Sequence, residues 1–145
     1  MIFERSVTTD WEGGLMDGSG VAKAGTGAFS LPVSFPSRIG EPAGKTSPEE
    51  LMAAAHAACF AMALNAALGK KSAKAKKTHV TATVSADKGD AGIKIVSSKL
   101  KVVVEGLEGM TPAEFSTFVK EADKGCPVSN AYRGTMQIDV EGSAK

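Results

Sequence analysis

Residues 47–68 limit what this chain can fold into more than any other stretch. Ser47-Pro48-Glu49-Glu50 is a helix start, in which Ser47 can cap, Pro48 suits the first helical position and Glu50 completes a capping box. From Leu51 to Leu68 nearly every position is Ala, Leu, Met, Phe or Cys, so the helix predicted to end before Gly69 is apolar around its whole circumference. Such a helix must be buried on all sides. In a chain of 145 residues the other elements can fall short of covering it, and a second subunit is a source of the missing surface.

The rest of the chain alternates strand and helix signals. Residues 5–34 carry six glycines (13, 14, 18, 20, 25 and 27) between short apolar runs, which predicts small antiparallel strands and tight turns. Ser34 to Thr46 reads as a polar loop. Gly69 to Lys77 holds five lysines and no aromatic residue, a solvated connector with nothing to stack nucleic-acid bases. Val80–Ser85 alternates at period two and Ile93–Glu105 is rich in β-branched residues, so two strands should form a hairpin turning near Gly89 to Gly92. Thr111-Pro112-Ala113-Glu114 opens a second helix, with Phe115, Phe118, Val119 and Ala122 on one face and a stop at Gly125. Cys126-Pro127 begins a third helical turn, and Thr135 to Val140 is a final alternating strand. There is no fixed-period repeat. The expectation is one α+β domain over residues 1–145.

Charge and composition narrow the function. With 17 basic and 16 acidic side chains the formal charge is +1, which gives no field for nucleic acid or an anionic membrane. Met1-Ile-Phe-Glu-Arg-Ser lacks the pattern of a secretory signal, and no uninterrupted apolar run reaches membrane-spanning length, so a soluble cytoplasmic protein is expected. The two cysteines and two histidines lack zinc-site spacing, and the glycines form neither a P-loop nor a dinucleotide fingerprint. No metal or cofactor is expected. In a reducing compartment two cysteines are poor candidates for a permanent disulfide; they are either inert core residues or redox groups.

Cys59 lies midway along the buried helix, beyond reach of the helix dipole, where burial alone would leave its thiol inert. A reactive Cys59 needs a cation from elsewhere. Of the three arginines (5, 38 and 133), Arg38 is the best local candidate, on the loop just before the helix. Cys126 is the opposite case, because it precedes Pro127 at a helix start where backbone N–H groups favour a thiolate. Local physics alone nominates Cys126 as the nucleophile. His56, three residues before Cys59, can share its face, but side chains on one helix run parallel and a structural role is the better reading. Glu49 and Glu50 both suit the helix N-terminus; Glu49 is about 80° off the Cys59 face and about 15 Å away along the axis. If Glu49 serves a Cys59 site, either a bridging side chain such as Arg38 spans the gap or the glutamate comes from a partner subunit.

Thr46-Ser-Pro-Glu-Glu-Leu-Met-Ala-Ala-Ala-His-Ala-Ala-Cys59-Phe-Ala-Met-Ala-Leu and Gly125-Cys126-Pro-Val-Ser129 resemble the osmotically inducible protein C (OsmC) family, related to the organic hydroperoxide resistance proteins. The likeness extends through Trp11-Glu-Gly, Phe35-Pro-Ser-Arg38 and Asp87-Lys88 to the last strand. It implies an intertwined homodimer, with antiparallel sheets packed around long central helices and active sites at the subunit interface. It also implies a peroxidase without metal or flavin, in which Cys59 attacks the peroxide, Cys126 resolves the resulting sulfenic acid as a disulfide, and a dithiol, lipoyl-type in related proteins, regenerates the pair. Arg38 matches the family arginine that holds the thiolate, and Glu49 the carboxylate that positions it. This resemblance reverses the ranking of the two cysteines. His56 matches a family position without a catalytic role to carry over. Phe60 and Met62 are expected near the substrate's organic tail, and departures from Ala24 to Val33 bear on peroxide size. The alternatives are a two-cysteine redox sensor or small-ligand binding protein and, third, a Cys-His acyl hydrolase, for which no orienting residue is evident.

Overall fold

Glycine-rich turns at the N-terminus fold back into three short strands. In the computed structural model, which describes residues 1–145, the chain gathers into two units, residues 1–51 and 52–145. The first unit holds β1 (Val7–Glu12), β2 (Ser19–Ala24) and β3 (Ser30–Val33), an antiparallel sheet in the order β1-β2-β3 with Val7 opposite Ala24 and Gly20 opposite Val33. The β1–β2 connection needs glycine at residue 18, where a Cβ would lie 2.2 Å from the Gly14 carbonyl oxygen and 2.4 Å from that of Glu12.

The expected polar loop from Ser34 to Thr46 contains a short helix, α1 (Phe35–Ile39). Ser34 caps it by accepting from the Ser37 N–H, and Pro36 sits in its first turn. Five residues are too few for a periodic signal, so only the cap and the proline could have announced it.

The long helix α2 (Pro48–Lys70) begins where expected, with Ser47 Oγ accepting from the Glu50 N–H at 3.1 Å. The Glu50 carboxylate turns to the Thr46 hydroxyl instead of closing the box on Ser47. Burial is incomplete, as the length of the chain allowed. Only His56, Phe60, Leu64 and Leu68, spaced four apart, are fully enclosed, whereas Ala54, Ala55, Ala58, Met62 and Ala66 are exposed. A single chain therefore covers one stripe of the helix. By length and average composition α2 also reaches what a membrane crossing needs, although it is not an uninterrupted apolar run. The polar residues His56 and Asn65 interrupt the run without lowering its average enough.

The second unit is built on β4 (Lys74–Gly89) and β5 (Gly92–Glu108), an antiparallel hairpin with a bulge at Ser85/Ala86, and β6 (Gln137–Ala144), which runs parallel to β5. The order β4-β5-β6 leaves β4 at an edge. Lys74, Lys76 and Lys77, expected in a connector, lie on that strand, drawn into extension by pairing with the end of β5. Lysines on an edge strand discourage pairing with another chain. Helix α3 (Pro112–Ala122) carries the full capping box between Thr111 and Glu114 and buries Phe115, Val119 and Ala122. A 3₁₀ turn (Asp123–Gly125) leads through Cys126 into α4 (Pro127–Tyr132).

The core of this unit joins Phe60, Leu64 and Leu68 of α2 to Leu100, Val102 and Val104 of β5 and to Phe115 and Val119 of α3. Each such side chain stabilises the fold by about 1.5–3 kcal/mol relative to exposure. The result is an α+β architecture in which α2 and α3 pack against one face of a sheet.

Candidate active site

Two cysteines far apart in sequence meet in the second unit. Cys59, on α2, is half-buried, and Cys126, the N-cap of α4, is fully buried; both are free thiols. The backbone of Cys126 is extended (φ −90°, ψ 111°), as a cap residue requires, and its Sγ accepts from the Ser129 N–H at 3.5 Å. Cys59 and Val128 both pack against the core cluster that contains Cys126.

Burial pushes the Cys59 thiol above its ordinary pKa, the Val128 N–H draws it back in part, and the neighbouring Cys126 pushes it further up. No cation of residues 52–145 acts on it. Left to this environment the thiol stays protonated, as the helix position led one to expect.

His56 lies one turn before Cys59 on α2, completely buried and bonded at both ring nitrogens. Nδ1 is 2.6 Å from Ser98 Oγ on β5, and Nε2 is 2.7 Å from Ser129 Oγ on α4. Burial lowers its pKa, Asp123 opposes that and Arg133 adds to it. The imidazole is therefore neutral near pH 7, with one nitrogen donating and the other accepting. Tyr132 meets the ring edge-on, with centroids 5.3 Å apart and planes at 74°, and its hydroxyl donates to the Met52 carbonyl at 3.1 Å. Nearby, Asp123 is buried and accepts from Arg133 Nη2 at 2.6 Å, while its other oxygen has no partner. These contacts make His56 part of a structural network and leave the acyl-hydrolase arrangement without support.

In the first unit Arg38, at the end of α1, grips Glu49 in the first turn of α2. Arg38 Nη2 is 2.6 Å from Oε1, and Nε is 3.2 and 3.1 Å from the two carboxylate oxygens. The fork geometry fixes the guanidinium plane. The hydrogen bonds from Arg38 hold the Glu49 carboxyl below its ordinary range, and the Arg38 pKa rises in turn. A carboxylate with a depressed folded pKa stabilises the fold above its ordinary pKa and loses that contribution as pH falls through the lowered value. Beside the pair lies an apolar cleft of about 320 Å³ lined by Trp11, Leu15, Val33, Phe35, Arg38 and Leu51, among others.

Phe60, expected near a substrate tail, is instead 0% exposed inside the core, whereas Met62 is 69% exposed. A 100° step per residue turns Phe60 away from Cys59 and onto the buried stripe. Sequence reasoning missed Ser98, Ser129 and Tyr132 as partners of His56. Ser129 stands three residues after Cys126 and could have been found there; Ser98 has no local signal, because only the sheet brings it to α2.

Known proteins resemble this chain over nearly all of its length. A family model described as "OsmC-like protein" matches residues 40–141. The chain is 36% identical to "Peroxiredoxin OsmC" of Escherichia coli (strain K12) over 97% of its own length and 98% of the relative's. It is 35% identical to the "Organic hydroperoxide resistance protein" of Xanthomonas axonopodis pv. citri over 78% of each chain. Among solved structures, an organic hydroperoxide resistance protein from Elizabethkingia anophelis superposes with a TM-score of 0.74 at 27% identity over 100% of both chains. With a family model covering most of the chain and curated relatives matched over nearly all of it, this protein belongs to the OsmC-like family.

Proposed function

We propose that this protein is a thiol peroxidase that reduces organic hydroperoxides, and hydrogen peroxide as well, with Cys59 as nucleophile and Cys126 as resolving thiol. The observation that carries the reading is the meeting of two free thiols in one core, Cys59 on α2 packed against the cluster that contains Cys126 at the cap of α4. The names of the curated relatives, a peroxiredoxin and organic hydroperoxide resistance proteins, support it. Arg38, held by Glu49, is proposed as the cation that a buried Cys59 needs in order to ionise. The apolar cleft beside Arg38 suits the organic part of a hydroperoxide.

The Cys59 thiolate attacks the peroxide oxygen that carries the hydrogen. The S–O bond forms as the O–O bond breaks, sulfur gives up two electrons, and the alkoxide leaves to be protonated as the alcohol. The Cys126 thiolate then attacks the sulfenic sulfur, forming S–S and releasing hydroxide, which leaves as water. A dithiol, lipoyl-type in this reading, reduces the disulfide by exchange and becomes a disulfide itself. The chemistry needs no metal or cofactor.

A cytoplasmic homodimer belongs to the same reading, because the exposed face of α2 at Ala54, Ala55, Ala58 and Met62 is apolar and a second copy would cover it. Sedimentation equilibrium of the reduced protein should give the mass of two chains at micromolar concentration. The mass of one chain would remove the dimer.

The test of the activity is steady-state consumption of cumene hydroperoxide and hydrogen peroxide with a dithiol donor. The wild type should turn over many times; consumption that stops after one equivalent despite excess dithiol would make the protein a stoichiometric sensor. Cys126→Ser should consume about one equivalent and stall with Cys59 as sulfenic acid. Sustained dithiol-driven turnover by that variant would remove the resolving role of Cys126.

A further inference from the structure

We infer that His56 is a positioning residue for the resolving step, acting through Ser129 to hold Cys126 in line with Cys59; this rests on the peroxidase reading above. Three observations converge on it. First, His56 and Cys59 stand one turn apart on α2, while Ser129 and Cys126 stand three residues apart at the start of α4, so the bond from His56 Nε2 to Ser129 Oγ at 2.7 Å ties together the two elements that bear the cysteines. Second, Ser129 reaches Cys126 through its backbone, because its N–H donates to the Cys126 sulfur. Third, Val128, which lies between Cys126 and Ser129 in the chain, packs with Cys59 against the core cluster that contains Cys126. One buried serine thus links the imidazole to the resolving thiol.

The other side of the ring is anchored differently. Nδ1 meets Ser98, on β5, which contacts neither cysteine-bearing turn through a hydrogen bond of its own side chain other than this one to His56. The Tyr132 hydroxyl supplies a second tie from the end of α4 to α2 at the Met52 carbonyl. A six-residue helix has little stability of its own, so its placement depends on such tertiary bonds. Disulfide formation requires the Cys126 sulfur to approach the Cys59 sulfur opposite the departing hydroxide, and a misplacement of about 1 Å can cost on the order of a hundredfold in rate. First attack on peroxide does not require the Cys126 sulfur to be in line.

The experiment compares the wild type with Ser129→Ala, Ser98→Ala and Tyr132→Phe, following two steps in each. Oxidation of Cys59 is read by loss of alkylatable thiol after one equivalent of cumene hydroperoxide. Resolution is read by decay of the sulfenic acid, trapped with a cyclic dione and quantified by mass spectrometry. Ser129→Ala should leave oxidation within about twofold of wild type and slow resolution by about tenfold or more. Ser98→Ala removes an equally buried hydroxyl from the same ring and should resolve at close to the wild-type rate. Ser129→Thr, which restores a hydroxyl, should recover most of the loss. Should Ser129→Ala fail to fold, Tyr132→Phe removes the second tie between α4 and α2 and should slow resolution selectively. Resolution at the wild-type rate in the variant tested, an equal loss in both steps, or equal losses in Ser98→Ala and Ser129→Ala would overturn the inference. A wild-type Cys59 that does not oxidise at all would instead overturn the peroxidase reading beneath it.

Discussion

Peroxide consumption by a Cys59→Ser protein is expected to fall by about a thousandfold or more, to the background of the uncatalysed reaction with dithiol. The substitution exchanges sulfur for a smaller oxygen at a half-buried site, so the fold should change little. The chemistry changes greatly. A thiolate is a soft nucleophile that accepts oxygen from a peroxide, whereas an alkyl hydroxyl ionises far above neutral pH and has no accessible sulfenic counterpart. Cys126 remains in this variant, which makes the experiment decisive between the two cysteines. The cap position of Cys126 favoured it as nucleophile on local grounds, and retention of activity in Cys59→Ser would restore that ranking. Steady-state assays with cumene hydroperoxide, run beside circular dichroism to establish folding, measure the effect.

A Phe60→Ala protein should lose about 3–5 kcal/mol of stability. Phe60 is completely enclosed and, with Phe115, is one of the two largest fully buried side chains, packed in a cluster that joins α2 to β5 and α3. Removing the ring forfeits its transfer free energy and leaves a cavity whose walls are three different elements, which cannot close on it together. A domain is stable by only about 5–15 kcal/mol, so the loss is a large fraction of the total. Denaturant midpoints at constant slope measure it. A loss below about 1 kcal/mol would mean that Phe60 is less enclosed than described and would reopen its assignment to the substrate's tail.

The parts of this structure legible in the sequence are those governed by local rules. Helix α3 announces itself through Thr111, Pro112 and Glu114, and its buried face through Phe115, Val119 and Ala122. The start of α4 follows from Cys126-Pro127 in the same way. Where the expectation failed, a distant partner made the decision. Lys74 to Lys77 read as a connector because their extension comes from pairing with residues near Glu105 to Glu108 of β5. The short helix α1 was hidden in a polar segment, and the all-round apolar surface of α2 announced a face left uncovered in a single chain without showing which face that is. The site divides along the same line. Both cysteines and the Arg38–Glu49 pair were singled out from the sequence, the latter two with help from the family resemblance, whereas the clamp on His56 required Ser98 and Ser129 to be brought from β5 and α4.

The central claim is that Cys59 and Cys126 form one redox pair, and the most direct measurement is mass spectrometry of the reduced wild-type protein after one equivalent of cumene hydroperoxide. The account predicts a chain lighter by two hydrogens that yields, after digestion without reductant, a single peptide pair linked through Cys59 and Cys126. If both thiols instead remain open to alkylation while the peroxide is consumed, or if Cys59 carries stable oxygen and Cys126 stays free, the two cysteines do not act as a pair and the mechanism is wrong.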